Sequence, residues 1–366
     1  MTERERFVKT LTCGMPDRPS YGDYLYYDST RERWEREGMP KGLDNDGLFR
    51  YFGFDHINIW GGDHMPVNGG IIPLFTPAVL EENDEYMVQR DAGGTVTRTL
   101  KNVPPPAMPQ FISHPVTDRK SWQEWVRRHN PDMAGRLPEN LAEIGAQSPE
   151  RTVPLVAWLG GTYGYIRDLL GMQNASYLFY DDTKLVEEMI EHFTGFYASL
   201  ARRIFAAGVQ LDAVVFWEDM AYKTGSLISP VLYRKYCLSF YTELVGLCRE
   251  NGVEVFILDS DGNINELISV WLDAGINVMH PMEVTAGMDV RAVRKQYGKN
   301  VSFLGGIDKR ALAAGPAAID EEVAPKIKEL EKNGGGFIAE CDHAVPPDVS
   351  LENYAYFRNL VKSLSE

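Results

Sequence analysis

The sequence has few cysteines, no long apolar run and no excess of basic charge, and each absence excludes a class of protein. Its four cysteines, Cys13, Cys237, Cys248 and Cys341, are widely spaced with no Cys-x-x-Cys pair. Neither a disulfide framework nor a zinc ribbon is therefore predicted, and a reducing cytoplasm fits this pattern. No stretch reaches the roughly 18 uninterrupted apolar residues that a membrane span needs, and the charged N-terminus lacks the apolar segment of a signal peptide. We expect a cytoplasmic protein that has no membrane partner.

The charge balance is strongly acidic. The 366 residues carry a formal net charge of -15, and 44% of them are hydrophobic. Nucleic-acid-binding proteins usually present a basic face, so a nucleic-acid partner is not expected. The length allows a large hydrophobic core, which leaves a small-molecule substrate as the expected partner.

From about residue 154 onward, apolar runs alternate with helical patterns. The predicted strands lie in RTVPLVAWLGG, DAVVFWED, VEVFILDSD, INVMHPME, VSFLGGID and GFIAECDH, and helical patterns at 183–207, 230–250, 317–332 and 351–364 are among those that separate them. This spacing requires parallel strands joined by crossover helices. Because no Gly-rich phosphate-binding fingerprint follows the first strand, we predict a closed (β/α)8 TIM barrel rather than an open, doubly wound sheet.

The residues before this repeat predict additions to one barrel domain that spans 1–366. Residues 1–55 form an N-terminal extension of helices and loops, and a short strand is predicted at 57–60. Within 80–115, the sequence MVQRDAGGTVTRTLK contains two alternating runs joined by a turn at 91–94. This pattern predicts an inserted β-hairpin, which could act as a lid over the site.

The stretch GVEVFILDSDGNIN, residues 252–265, shows where the chemistry lies. Its apolar run ends in Asp259 and Asp261, and two carboxylates cannot be buried without partners except at a cost of several kcal/mol each. Other apolar runs end in the same way, and the loops after the strands of a barrel share one mouth. The strand-end residues are Asp63, His64, Glu218, Asp219, Asp259, Asp261, His280, Glu283, Asp308, Cys341, Asp342 and His343.

Four of these residues have the chemistry of metal ligands. Cys341 and His343 offer a thiolate and an imidazole, and Asp259 and Asp261 offer carboxylates, all of which zinc accepts. The sequence therefore predicts a zinc site. The alternative is that Cys341 is a small buried apolar residue and His343 is an unbound loop residue.

Glu218 and Asp219 are the predicted catalytic pair. They follow Phe216 and Trp217, an apolar environment that can raise the pKa of a carboxyl group enough for acid–base work. The alternative is that one of them caps a turn or pairs with an arginine. The predicted substrate-binding residues are Asp63, His64, Trp158, Tyr163, Arg167, Trp217, His280 and Glu283.

The aromatic members of that set, Trp158 and Tyr163, lie beside glycines at a strand end, where they could line a planar ligand. His280 and Glu283 could bind a polar group of the substrate. A single histidine at a strand end is equally often a hydrogen-bonded structural residue.

Five segments carry a family resemblance: FWEDMAYKTGSLISPVLYRKY, DSDGNINELI, PMEVTAGMDVRAVRKQYG, FLGGIDKRAL and DHAVPPDVSLENY. From about Pro154 to the C-terminus, the chain resembles the uroporphyrinogen decarboxylase superfamily, with weaker similarity in MTERERFVKTLTCGMPDRP. The resemblance implies a (β/α)8 barrel. It also implies one of two activities, a cofactor-free decarboxylation in haem synthesis or a methyl transfer that depends on zinc and a corrinoid.

Two departures from the family patterns bear on this choice. The decarboxylases carry an Arg-rich N-terminal motif that holds porphyrinogen carboxylates, whereas SYGDYLYYD follows Pro19 here and contains no arginine. The methyltransferases bind zinc through a His-x-Cys motif at the end of one strand and a cysteine at the end of the last strand. In this sequence Asp259 and Asp261 replace the His-x-Cys motif, and Cys341 lies where the last cysteine is expected.

The main prediction from the resemblance is a zinc-assisted methyltransferase that moves a methyl group to or from a corrinoid such as methylcobalamin, carried by a partner protein. Glu218 or Asp219 would supply or remove the proton. One alternative is a decarboxylase of uroporphyrinogen or another carboxylated ring, which would need arginines such as Arg167 at the mouth. The other is a barrel that binds a tetrapyrrole without catalysis. Family members occur as monomers and as homodimers, and both states stay open.

Overall fold

The computed structural model describes residues 1–23, 26–56, 59, 64–103 and 108–365. The α-helices are α1 (Glu3–Leu11), α2 (Asp28–Arg36), α3 (Asn45–Phe52), α4 (Arg119–Arg128), α5 (Leu141–Gln147), α6 (Tyr163–Leu170), α7 (Met172–Asp181), α8 (Thr183–Ala206), α9 (Pro230–Glu250), α10 (Ile268–Asp273), α11 (Val290–Tyr297), α12 (Lys309–Ala314), α13 (Pro316–Lys332) and α14 (Leu351–Ser365). The strands are β1 (His64–Met65), β2 (Ala78–Glu82), β3 (Tyr86–Arg90), β4 (Val96–Leu100), β5 (Gln110–Ser113), β6 (Val156–Trp158), β7 (Ala213–Trp217), β8 (Ala221–Tyr222), β9 (Gly225–Ser226), β10 (Val255–Asp259), β11 (Val278–His280), β12 (Ser302–Ile307) and β13 (Phe337–Cys341).

The central sheet is parallel, with helices in the connections between its strands. In the described residues it has seven strands in the order β1-β6-β7-β10-β11-β12-β13. This is the α/β architecture of a TIM barrel, so the predicted fold class is confirmed. The strand predicted at 57–60 includes residues 57, 58 and 60, which lie outside the described residues.

One face of the central strands lines the barrel interior, and the other packs against the surrounding helices. Alternate residues such as Val215, Ile257 and Ile338 form a core inside the barrel, and Phe7 and Leu11 of α1 belong to the same core. The intervening residues pack against the surrounding helices. Because side chains alternate along a strand, the side of β7, β10 or β13 on which a residue lies decides whether it reaches the interior.

The predicted hairpin is present as β3 and β4, which pair antiparallel. Two further strands, β2 and β5, extend it to a four-stranded sheet. The sequence pattern does not show them because every residue of β5 and most of β2 are exposed, so neither strand has the alternation of a half-buried strand.

The N-terminal extension contains α1, α2 and α3. The helix α3 was not predicted, although the sequence carries both of its end signals. Asp44 caps its first turn by accepting a hydrogen bond from the N–H of Gly47, and Gly53 ends it with a left-handed backbone at φ 67°. Trp34 of α2 donates its indole N–H to the carbonyl of Val349, which ties the extension to the C-terminal part of the chain. None of the described helices is long and apolar enough to cross a membrane.

Candidate active site

Glu218 follows β7 and is fully buried. One carboxyl oxygen accepts hydrogen bonds from the N–H and hydroxyl of Thr162, at 2.6 and 2.5 Å, and from the hydroxyl of Tyr241. The other oxygen accepts from the N–H of Gly164 at 3.0 Å. Burial raises the pKa of Glu218 to about 7. Glu218 therefore faces the helix layer and anchors the first turn of α6, while its predicted catalytic role stays a prediction.

Asp219 is the next residue, and it turns toward the mouth. Its backbone adopts a left-handed conformation at φ 48°, which is uncommon for a residue other than glycine and is typical of functional sites. One carboxyl oxygen accepts the N–H of Asp261 at 3.2 Å, and the other lies 3.8 Å from the guanidinium of Arg167. Burial, followed by the charge of Asp261, raises the pKa of Asp219 to about 6. Asp219 can thus gain or lose a proton near neutral pH.

Asp261 forms an ion pair with His343, whose Nε2 lies 3.5 Å from the carboxylate. Burial alone would raise the pKa of Asp261, but the hydrogen bond and charge of His343 outweigh it and lower that pKa. The same hydrogen bond raises the pKa of His343. The ring of Tyr27, which no sequence motif marks as a site residue, stacks on His343 with the ring centroids 6.5 Å apart.

Asp259 and His280 form a second pair deeper in the barrel. The Asp259 carboxylate lies 2.6 Å from Nδ1 of His280, and both residues are buried. Burial raises the pKa of Asp259. Because the two residues are also register partners on β10 and β11, the pair joins two neighbouring strands at their carboxyl ends.

A third cluster contains Glu283, Lys309 and Asp342. The ammonium group of Lys309 lies 3.9 Å from Glu283 and 3.8 Å from Asp342. Asp342 also accepts the N–H groups of Val284 and Lys309, at 2.9 and 3.3 Å. Lys309 was missed as a site residue, although it directly follows the predicted strand-end residue Asp308. It places a positive charge beside the carboxylates.

The aromatic candidates divide between the two faces of the sheet. Trp158 and Trp217 are partly exposed and end β6 and β7, and the guanidinium of Arg167 lies 5.4 Å from the Trp217 ring centre. Tyr163 is instead fully buried in the core shared with the helices. His64 is half-buried in β1, and Asp63 lies outside the described residues.

The four predicted zinc ligands do not come together as one donor set. Cys341 is fully buried and packs in the core shared with the helices, on the opposite side of β13 from Ile338 in the barrel interior. Its backbone N–H donates to Asp23 at 3.0 Å. Throughout the described part of the chain, no group of three or more His, Cys, Asp or Glu side chains is arranged to hold a metal ion. These side chains therefore do not fit a zinc ion in this arrangement.

Comparisons with known proteins give the family context. Residues 102–364 match the family model described as uroporphyrinogen decarboxylase. The chain is 24% identical over 224 residues to the uroporphyrinogen decarboxylase of Pseudomonas syringae pv. syringae, a match that covers 58% of this chain and 60% of that protein. It is 25% identical over 259 residues to that of Pseudomonas aeruginosa, covering 69% of this chain and 66% of the relative.

Among solved structures, a methyltransferase from Methanosarcina mazei superposes with a TM-score of 0.58. The superposition covers 100% of both chains at 16% sequence identity. At that identity, the similarity bears on the fold alone.

Proposed function

We infer that this chain, which belongs to the uroporphyrinogen decarboxylase family, is a decarboxylase that acts by proton transfer on a carboxylated, electron-rich ring. The observation that carries this proposal is Asp219, a carboxyl group with a pKa of about 6 that lies 3.8 Å from Arg167 and against Asp261. A proton donor and a cation that can hold a substrate carboxylate thus lie side by side.

The charges of the site suit the two ends of such a substrate. Arg167 and Lys309 supply the positive charges that a substrate carboxylate needs, and a guanidinium group can bind it through two parallel hydrogen bonds. Asp261, whose pKa is lowered by His343, supplies a carboxylate beside Asp219, where a cation develops when the ring is protonated. Preorganised charges aimed at a developing charge are among the largest contributions to catalysis.

The reaction balances with one proton from solvent. Protonated Asp219 transfers its proton to the ring and becomes a carboxylate. The C–C bond to the substrate carboxylate then breaks, CO2 leaves, and the electron pair neutralises the ring cation. A second proton adds to the carbon that lost CO2, and the ring proton returns to Asp219. The net change replaces a carboxylate with hydrogen.

The first experiment measures CO2 release and product mass when the purified protein is incubated with uroporphyrinogen and with smaller pyrrole carboxylates. We expect carboxylate loss in the presence of a chelator, a large decrease of kcat in Asp219→Asn, and an increase of KM in Arg167→Met. Asp320→Asn is the matched control, because Asp320 is an exposed acid on α13 that accepts a hydrogen bond from Tyr356. Full activity of Asp219→Asn would contradict the proposal.

A methyltransferase is the second candidate, and one observation favours it. The segment that follows Pro19 supplies no arginine for porphyrinogen carboxylates. Its Asp23 instead accepts hydrogen bonds from the N–H of Cys341 and the hydroxyl of Tyr354. Zinc and a corrinoid-carrying partner stay predictions. Metal content of protein purified without a metal-affinity tag, followed by assays with methylcobalamin, tests them, and methyl transfer without CO2 release would replace the decarboxylase proposal.

A further inference from the structure

A cavity of about 430 Å³ lies at the end of the barrel opposite the mouth. Its lining includes Cys13, which follows α1, and the glycines at 334–336, which precede β13. Cys13 also lies against Ser302, the first residue of β12, with Sγ and Oγ 3.4 Å apart. These contacts involve the amino ends of the strands, whereas Asp219 and Asp261 follow the carboxyl ends. The cavity is therefore separate from the candidate active site.

Cys13 differs from the other three cysteines in its surroundings. Cys237, Cys248 and Cys341 are fully buried, whereas Cys13 is only partly buried. Burial raises the pKa of Cys248 to about 12 and raises those of Cys237 and Cys341 well above the usual value. These three side chains therefore stay as thiols, and the thiolate is the form that reacts. Of the four cysteines, all of which the structure describes, Cys13 alone can be reached from solvent.

A cation lies beside the sulfur of Cys13. The guanidinium of Arg294 donates one hydrogen bond to Sγ at 3.5 Å and another to the carbonyl of Gly335 at 2.8 Å. Arg294 is itself buried, so two contacts hold it in place. Reactive cysteines in proteins typically lie beside a cation in a partly exposed position. Cys13 therefore has the surroundings of a reactive cysteine.

A second side chain of the cavity offers a polar group to a ligand. Ser20 lines the same cavity and is only 2% exposed, yet its hydroxyl forms no hydrogen bond with any residue that the structure describes. Buried polar groups are nearly always hydrogen-bonded, and an exception calls for an explanation. The exposed Lys299 adds an ammonium group to the lining. The volume is within the range of small-molecule sites, and a carboxylate would suit both side chains.

We propose that Cys13 is a modification site, which forms a mixed disulfide with a low-molecular-weight disulfide that carries a carboxylate. Cys13 loses its proton to solvent, and its thiolate attacks one sulfur of the small disulfide. The new S–S bond forms as the old one breaks, and the leaving thiolate takes a proton from solvent. Cys13 is oxidised and the leaving sulfur is reduced, so no other oxidant is needed. The retained half occupies the cavity, where Ser20 donates to its carboxylate and Lys299 pairs with it.

Two probes test this proposal, because glutathione disulfide carries carboxylates and hydroxyethyl disulfide carries none. The folded wild-type protein is incubated with each probe, and mass spectrometry of the intact protein and its peptides follows the reaction. We expect one glutathione per chain, on Cys13, with a rate that saturates at high probe concentration and an adduct that excess dithiothreitol removes. Cys13→Ser should form no adduct. Cys248→Ala, which removes a buried thiol, is the matched control and should react as the wild type does.

Ser20→Ala distinguishes a bound probe from a thiol that is merely exposed. In this variant the concentration of glutathione disulfide at half-maximal rate should rise about tenfold, the effect of one hydrogen bond to a charged group. The rate with hydroxyethyl disulfide should not change. Thermal unfolding checks that each variant is folded. The proposal is overturned by no adduct on the wild type, an adduct on another cysteine of the folded protein, a rate that never saturates, or a Ser20→Ala variant in which the two probes are affected equally or not at all.

Discussion

At the scale of single residues, the two adjacent acids that follow β7 have opposite surroundings. Glu218 faces the helix layer, and its two oxygens accept four hydrogen bonds. Asp219 faces the mouth, beside Arg167 and Asp261. The sequence indicated that one of the pair has a chemical role, but it could not assign the role because both follow the same apolar run. The backbone turn at Asp219 separates them.

The pH dependence of activity should follow Asp219. If its protonated form donates the proton, kcat/KM is constant well below pH 6 and decreases about tenfold per pH unit above it, because the pKa of Asp219 is about 6. A pH–rate profile measures this. An Asp219→Asn profile that still decreases above pH 6 would assign the titration to another group.

Glu218→Gln should lower the free energy of unfolding by about 1–3 kcal/mol. The side-chain NH2 group of glutamine would face the backbone N–H of Gly164, and two donors cannot form a hydrogen bond with each other. The pKa of Glu218 is raised to about 7 by burial, so its stabilising contribution is complete below about pH 4.5 and is lost as the pH rises through 7. The difference in unfolding free energy between the wild type and Glu218→Gln should therefore decrease as the pH rises from about 4.5 to 7. Urea unfolding at several pH values measures this difference, with Glu243→Gln, a change at an exposed acid of α9, as the control. Equal stability of the two variants would refute the anchoring role.

At the scale of elements, α6 packs unusually closely on the end of β7. A Cβ atom at Gly164 would lie 2.2 Å from the carbonyl oxygen of Glu218, so this helix can approach the strand only because it carries glycine there. The sequence showed glycines beside Trp158 and predicted a ligand-lining turn. It could not show that the space beside Gly164 is filled by Glu218, the residue that follows β7.

Two glycines in helices give a matched comparison. Gly164→Ala should lower the unfolding free energy by about 1–3 kcal/mol, because α6 must move away from β7. Gly195→Ala in α8 should raise it by about 0.5–1 kcal/mol, because a Cβ atom there meets nothing within 4 Å. Thermal or urea unfolding of both variants measures the difference, and a neutral Gly164→Ala would show that α6 adjusts freely.

At the scale of the whole molecule, the extension and the barrel share one core. Phe7 and Leu11 of α1 pack inside the barrel, and Tyr26 packs edge-on against Tyr354 with the ring centres 5.7 Å apart. We expect deletion of residues 1–55 to abolish cooperative unfolding, because large apolar surfaces lose their partners. The double change Leu80→Ser and Phe111→Ser, at exposed positions of the inserted sheet, should alter stability by less than about 0.5 kcal/mol. Calorimetry of both proteins tests this, and a cooperative transition in the deletion would show an independent barrel.

The sequence predicted the strands of the repeating part well, but it predicted less well which side chains meet at their ends. Runs such as VEVFILDSD give β10 (Val255–Asp259) almost directly, because a buried parallel strand is apolar on both faces. Asp259 and Asp261 were placed correctly at a strand end. Asp261 and His343 were predicted to lie together as zinc ligands, and they lie together as an ion pair. The pairing of Asp259 with His280 was not predicted, because the two residues end different strands and only strand register brings them side by side. The side of β13 that Cys341 occupies depends on strand register, which spacing alone does not fix.

The bond between Asp23 and the N–H of Cys341 joins residues 318 positions apart, and Trp34 reaches Val349 across 315 positions. Contacts between such distant parts of a chain form slowly, because a long loop must close first. During synthesis, the aromatic side chains of the N-terminal extension have no C-terminal partners until the last strand has left the ribosome. Completion of this part of the fold therefore waits for the synthesis of β13 and α14, and until then the N-terminal aromatic side chains stay exposed to chaperones.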